Sequence, residues 1–205
     1  MPLIREMFGL ATDTSEFVFL SDGGHFENLG LYEMVLRRCR FILVSDGGCD
    51  PTASFEDLGN ALRKVRIDLG VPIEFGTKIP IFKRDSGEHP DGTYWAIGKI
   101  RYSQIDKPNG STTPDEDYDG ILLYVKPAIY NREPADVDNY ARTSPTFPHE
   151  STADQFFTES QFESYRALGS HVIDQMVGQL KGERQREGNP TGQNPLGWLR
   201  GRGTA

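Results

Sequence analysis

The sequence has little cysteine, no long apolar run and no surplus of positive charge. Cys39 and Cys49 are the two cysteines among 205 residues. A pair spaced in this way builds neither a disulfide framework nor a metal-binding motif, and both read as small buried apolar residues in a reducing compartment. No stretch reaches the roughly 18 apolar residues of a membrane span. The opening Met1-Pro-Leu-Ile-Arg-Glu-Met7 lacks the pattern of a signal peptide, so the chain reads as soluble. Lysine and arginine total 22 against 30 aspartates and glutamates, a net charge of −8. Nucleic-acid binding draws on a basic face that neutralises phosphates, so this balance argues against it. Phosphate loops of the Gly-x-Gly-x-x-Gly and Gly-x-x-x-x-Gly-Lys kinds are absent, which removes the usual sequence support for a nucleotide site.

What is present in quantity is glycine and proline, 22 and 13 residues, against 37% hydrophobic residues. Much of the chain is therefore expected to be loop or tail around one domain of ordinary size. Phe17–Leu20 and Phe41–Val44 are short apolar runs suited to buried strands. Between them Asn28 is placed to cap a helix with Leu29, Tyr32, Leu36 and Cys39 on its apolar face. Strand, helix, strand predicts a βαβ unit and a parallel sheet. Ser54-Phe-Glu-Asp57 opens a second helix in the manner of a capping box, with Phe55, Leu58, Leu62, Val65 and Leu69 inward and Gly70 as its stop.

Val71–Phe75 reads as a third strand. Tyr94–Tyr102 and Ile121–Val125 read as a hairpin around an acidic loop with Asp115, Glu116, Asp117 and Asp119. That loop lacks the spacing of a calcium-binding hand and is read as solvated. Thr152-Ala-Asp-Gln155 is placed to start a long helix carrying Phe162, Tyr165, Leu168, Val172, Met176 and Leu180 on one stripe. The aromatic set Phe156, Phe157, Phe162 and Tyr165 is assigned to the core, with a lipid-binding face as the alternative. Residues 1–180 form the expected domain, and 181–205, rich in Gly, Arg, Asn and Pro, an expected disordered tail.

Both early strands end in the same way, in Ser21-Asp22-Gly23-Gly24 and Ser45-Asp46-Gly47-Gly48. In open α/β sheets ligands gather at the carboxyl ends of strands. A carboxylate there, with glycines that let backbone N–H groups approach, is held ionised and oriented. It can act as a general base, orient a histidine, or bind a metal or a ribose; equally, it can do no more than form the turn. Asp22, His25 and Glu27 are close enough in sequence to be weighed as metal ligands, but they lack a fourth donor.

The stretch Ser21-Asp-Gly-Gly-His-Phe-Glu-Asn-Leu-Gly-Leu-Tyr-Glu-Met34, followed by Arg37-Arg-Cys-Arg-Phe-Ile-Leu-Val-Ser-Asp46, resembles the C-terminal part of patatin-like phospholipases. It is most similar to their bacterial branch related to cytosolic phospholipases and lysophospholipases. Phe147-Pro-His-Glu-Ser-Thr-Ala-Asp-Gln-Phe-Phe157 and Gln161-Phe-Glu-Ser-Tyr-Arg-Ala-Leu-Gly169 carry the resemblance further.

The resemblance implies a three-layer α/β fold with helices on both faces of the sheet, and a lipid acyl hydrolase that needs no cofactor and no metal. Its reaction would use a serine–aspartate dyad, the serine in a Gly-x-Ser-x-Gly elbow and an oxyanion loop upstream. Asp22 matches the catalytic aspartate, Gly23 and Gly24 match the turn behind it, and Asn28 is placed to steady that turn; Asp46 matches a structural position. No Gly-x-Ser-x-Gly occurs here. The chain is therefore expected to be a C-terminal fragment whose partners are a phospholipid or other lipid ester, the N-terminal half of the same catalytic domain, and a membrane surface. Its place would be cytoplasmic, or membrane-associated through the N-terminal region. The alternative is a non-catalytic module of the same fold that binds lipid or a partner chain.

Overall fold

The computed structural model describes residues 4, 7–10, 12, 14, 22–76, 78–84, 89, 91–106, 116–151 and 153–186. The expected strand Phe17–Leu20, Asp115, Thr152 and the residues from 187 onward, Trp198 among them, lie outside the described residues. The chain is of the α/β class. Its strands are β1 (Phe41–Ser45), β2 (Ile73–Phe75), β3 (Trp95–Ile100) and β4 (Gly120–Val125), in the spatial order β1-β4-β3-β2. Its helices are α1 (Leu31–Leu36), α2 (Glu56–Leu69), α3 (Ala135–Thr143) and α4 (Glu159–Arg186).

The sheet is mixed, with the expected hairpin as part of it; the βαβ unit expected to begin at Phe17–Leu20 is not tested by the described residues. β1 runs parallel to β4, while β4 with β3 and β3 with β2 are antiparallel. The 95–125 hairpin is the reason: consecutive strands joined by a loop reverse direction, and only the long excursion from β1 to β4 gives a parallel pair. The face carrying Ile42, Val44, Leu122, Tyr124 and Ile100 is fully buried. Leu58, Ala61 and Val65 of α2 and Leu31 and Val35 of α1 join it in one core, and Phe55 at the head of α2 meets Tyr124 edge-on. On the opposite face Phe41 and Leu43 are 58% and 57% exposed, with Ile97, Ile121 and Leu123 half-buried beside them in register. Helices α3 and α4 pack on each other, and His171 of α4 lies edge-on to Tyr94 at the start of β3.

Several local expectations shift. In α1 Leu31 and Val35 are the buried pair, while Leu36 is exposed. The capping residues also move. α1 begins after Gly30, in the left-handed region at φ 67°, and the Glu27 carboxylate accepts from the N–H groups of Leu29 and Tyr32; Asn28 does not cap it. α2 begins after Phe55, also left-handed, and Asp50 rather than Ser54 takes the free N–H groups. The capping box of α4 is Thr158 with Gln161, each accepting from the other's backbone N–H, six residues beyond the expected Thr152. α4 extends through Arg186, past the expected domain end at 180. Cys49 is exposed rather than buried. Phe156, Phe157 and Phe162 are 92%, 52% and 63% exposed, so these three do not belong to the core. Buried Asp119 of the acidic hairpin loop is tied to Ser103 N–H and to the side chains of Lys99 and Arg101, which corrects the reading of that residue as solvated. No described helix is long and apolar enough to cross a membrane.

Candidate functional site at the two Asp-Gly-Gly turns

Asp22 sits on the surface at the head of a single turn of 3-10 helix, Gly23–His25. Its Oδ1 accepts from the Gly24 N–H at 3.0 Å, and its backbone carbonyl lies 3.2 Å from the His25 ring nitrogen Nδ1. Among the described residues Oδ2 has no hydrogen-bond partner. Gly23 and Gly24 are exposed with it. Gly24 is the tight position: a Cβ there would lie 2.6 Å from Asn28 Oδ1. Asn28 in turn donates through Nδ2 to Asp57 Oδ1, at 2.9 Å. The whole loop is pinned to α2, since Asn60 and Lys64 both donate to the Phe26 carbonyl and the Lys64 ammonium lies 3.9 Å from the Phe26 ring centre. Asp57, Asn60 and Lys64 are spaced three and four residues apart, so one face of α2 holds the loop.

The second turn is built alike and placed differently. The parallel register that pairs Ser45 with Val125 continues one step, with Asp46 N–H donating to the Val125 carbonyl. That step sets Asp46 beside Lys126 on the helix-covered side. Both side chains are 2% exposed, and Lys126 Nζ donates to Asp46 Oδ2 at 2.9 Å. Tyr124 OH donates to the same oxygen and Gly48 N–H to Oδ1. Burial, reinforced by the Asp46 charge, pushes the Tyr124 hydroxyl far above its ordinary value. Asp50 lies 3.8 Å from Lys126. Burial pushes its carboxyl up, but the N–H groups of Ser54 and Phe55, the Ser54 hydroxyl and the Lys126 charge outweigh that and hold it below its ordinary value.

His149 is buried with Nδ1 unpartnered, and its backbone carbonyl accepts from Cys49 Sγ. Burial and the Lys126 charge hold its imidazole below the usual range. A pocket of about 260 Å³ opens here, lined by Asp46, Cys49, Asp50, Ser54, Glu56, Asp57 and Lys126. Among the described residues no group of three or more His, Cys, Asp or Glu side chains is arranged to hold a metal.

Asp57 touches both turns. It accepts from Asn28 of the first, and its Oδ2 would lie 3.2 Å from a Cβ on Gly48 of the second. The structure therefore brings Asp22, Gly24, Asn28 and Asp46 into one neighbourhood through α2. Lys126 was missed in the sequence. Its signal is a lysine directly after the apolar run Ile121-Leu-Leu-Tyr-Val125, where a strand in a buried sheet ends. Comparison with protein-family models, with curated proteins and with solved structures finds no match for this chain.

Proposed function

We propose that this chain supplies the general base of a lipid acyl hydrolase of the patatin-like type, with Asp22 as the base and the nucleophilic serine on another polypeptide segment. One observation carries the reading beyond the resemblance: Asp22 is surface-presented, one oxygen fixed by the Gly24 N–H and the other without a partner among the described residues. A base needs that combination of fixed orientation and a free lone pair.

In the proposed reaction Asp22 Oδ2 takes the proton of the serine hydroxyl as Oγ attacks the ester carbonyl. The tetrahedral intermediate collapses, the ester C–O bond breaks, and the proton passes from Asp22 to the leaving alcohol. A water then gives its proton to Asp22, its hydroxide adds to the acyl carbon, and serine leaves with that proton. The more than half-exposed Phe41 and Leu43 support docking of the serine-bearing segment, which in a three-layer arrangement would cover that side of the sheet.

The test is to co-express the chain with a segment bearing a Gly-x-Ser-x-Gly elbow of this type and to measure fatty-acid release from phospholipid. Asp22→Asn is expected to lower the rate by about 10²- to 10⁴-fold; an undiminished rate sinks the dyad. The exposed Phe156, Phe157 and Phe162 favour a second reading, a lipid-binding module without catalysis. On that reading vesicle co-sedimentation persists in Asp22→Asn and is lost in a Phe156→Ser, Phe157→Ser double variant.

A further inference from the structure

We propose that Asp57 is a positioning residue for the Asp22 turn, acting through Asn28. Its functional consequence rests on Asp22 being the base; the positioning itself does not. Asp57 lies in the first turn of α2, 29 residues beyond Asn28, and the Nδ2–Oδ1 bond between them is 2.9 Å long. An ionised carboxylate can only accept, whereas a carboxamide donates from one end and accepts at the other. The bond therefore decides which way Asn28 faces. Its NH₂ points to Asp57, and its Oδ1 is turned toward Gly24. A Cβ on Gly24 would lie 2.6 Å from that Asn28 oxygen and 3.6 Å from Asp22 Oδ1, so amide oxygen and carboxylate crowd the same glycine.

With the carboxamide held this way, its NH₂ is kept from Asp22, and the Asp22 carboxylate keeps the Gly24 N–H as its fixed donor. A reversed Asn28 would offer a donor to Asp22 and weaken it as a base. Asp57 also borders Gly48, so the second turn, anchored by buried Asp46, is the firm ground from which the exposed first turn is set.

The experiment is amide hydrogen exchange by NMR on the full chain. In Asp57→Ala the Gly24 N–H is expected to exchange about fivefold faster, the loss of one hydrogen bond's worth of order, while the Leu122 and Tyr124 amides of β4 keep their rates. Asn28→Ala should reproduce the effect, and the double variant should add nothing to it. Asn28→Ala, which removes the amide and leaves Asp57 in place, keeps the proposal decidable should Asp57→Ala not fold. Unchanged Gly24 exchange in a folded Asp57→Ala or Asn28→Ala, or additive effects, overturns the proposal. In the co-expressed hydrolase Asp57→Ala should lower kcat with KM unchanged. If Asp22→Asn leaves that activity intact, the hydrolase reading fails while the exchange data still decide the role of Asp57.

Discussion

The same three residues, Asp-Gly-Gly, appear twice, 24 positions apart, and meet opposite fates. Each turn folds its carboxylate back onto the N–H two residues ahead, at 3.0 Å in the first and 2.9 Å in the second. Each is followed by a carboxylate that takes two free N–H groups around the start of the next helix, Glu27 in one case and Asp50 in the other. There the likeness ends. Asp22 is exposed, whereas Asp46 is 2% exposed and satisfied by a lysine, a tyrosine and a backbone amide. A turn motif sets local geometry, and the neighbouring strand decides whether the carboxylate is a structural anchor or is left free for chemistry.

The sharpest way to break this comparison is to remove Lys126. Its loss leaves Asp46 as an uncompensated buried charge, which costs about 3–5 kcal/mol. Lys126→Met should therefore lower the urea midpoint of the chain drastically, while Asp22→Asn leaves it in place. Equal midpoints for the two variants would mean that the second turn is not the anchor.

Next in size are the glycines. A Cβ on Gly48 would press on Asp46 Oδ1 at 3.1 Å and Asp57 Oδ2 at 3.2 Å, and the Asp46 carboxylate is locked through its other oxygen by Lys126. Gly48→Ala is expected to cost about 1–3 kcal/mol, as for other overpacked sites. The closer contact at Gly24 is with the end of an exposed Asn28 side chain, which can shift at the cost of its one hydrogen bond to Asp57. Gly24→Ala should thus be the milder change in stability, despite the shorter distance, and denaturant titration of the pair reads the order directly.

How far this could be read beforehand follows from the same residues. Phe41–Val44, Val71–Phe75 and Ile121–Val125 were legible as strands because apolar runs bounded by turns have few other uses. The amphipathic α2 and its Gly70 stop were legible by their period. The caps were not. Asn28, Ser54 and Thr152 have the right chemistry, but capping depends on which side chain the preceding loop turns inward, and Glu27, Asp50 and Thr158 are the ones so turned. Lys126 was hidden for a deeper reason: its partner Asp46 is 80 residues away, and parallel pairing across a long crossover leaves no local trace. The exposure of Phe156 and Phe162 was likewise unreadable, because an aromatic residue beside a helix start has the same sequence signature whether it is covered or bare.

A smaller contrast sets the two capping carboxylates against each other. Asp50 accepts from Ser54 N–H, Ser54 Oγ and Phe55 N–H at the head of a helix of 14 residues, whereas Glu27 accepts from two N–H groups and serves a helix of 6 residues. Loss of a helix cap costs about 0.5–2 kcal/mol. Asp50→Ala should fall at the upper end of that range and Glu27→Ala at the lower, as read from thermal midpoints. The reverse order would show that the first turn, not the second, bears the load.

The smallest effect is in pH dependence, at His149 beside the second turn. His149 sits against Gly48, Lys126, Asp46 and Asp50; burial and Lys126 favour its neutral form, while the two aspartates and the Gly48 carbonyl oppose them without prevailing. Its folded pKa is thus below the unfolded value of about 6.5. Between those two values the unfolded chain binds more protons than the folded one, so stability rises with pH there. The contribution is complete above pH 6.5 or so and is lost as the pH falls toward the folded value, with a slope of at most about 1.4 kcal/mol per pH unit for one proton. His149→Gln, which keeps a polar group in the site without a titrating one, should flatten the stability profile between about pH 7 and pH 5. If the wild-type and variant profiles stay parallel across that interval, His149 gains its proton as readily in the folded chain as in the unfolded one, and the enclosure of the second turn is looser than its contacts indicate.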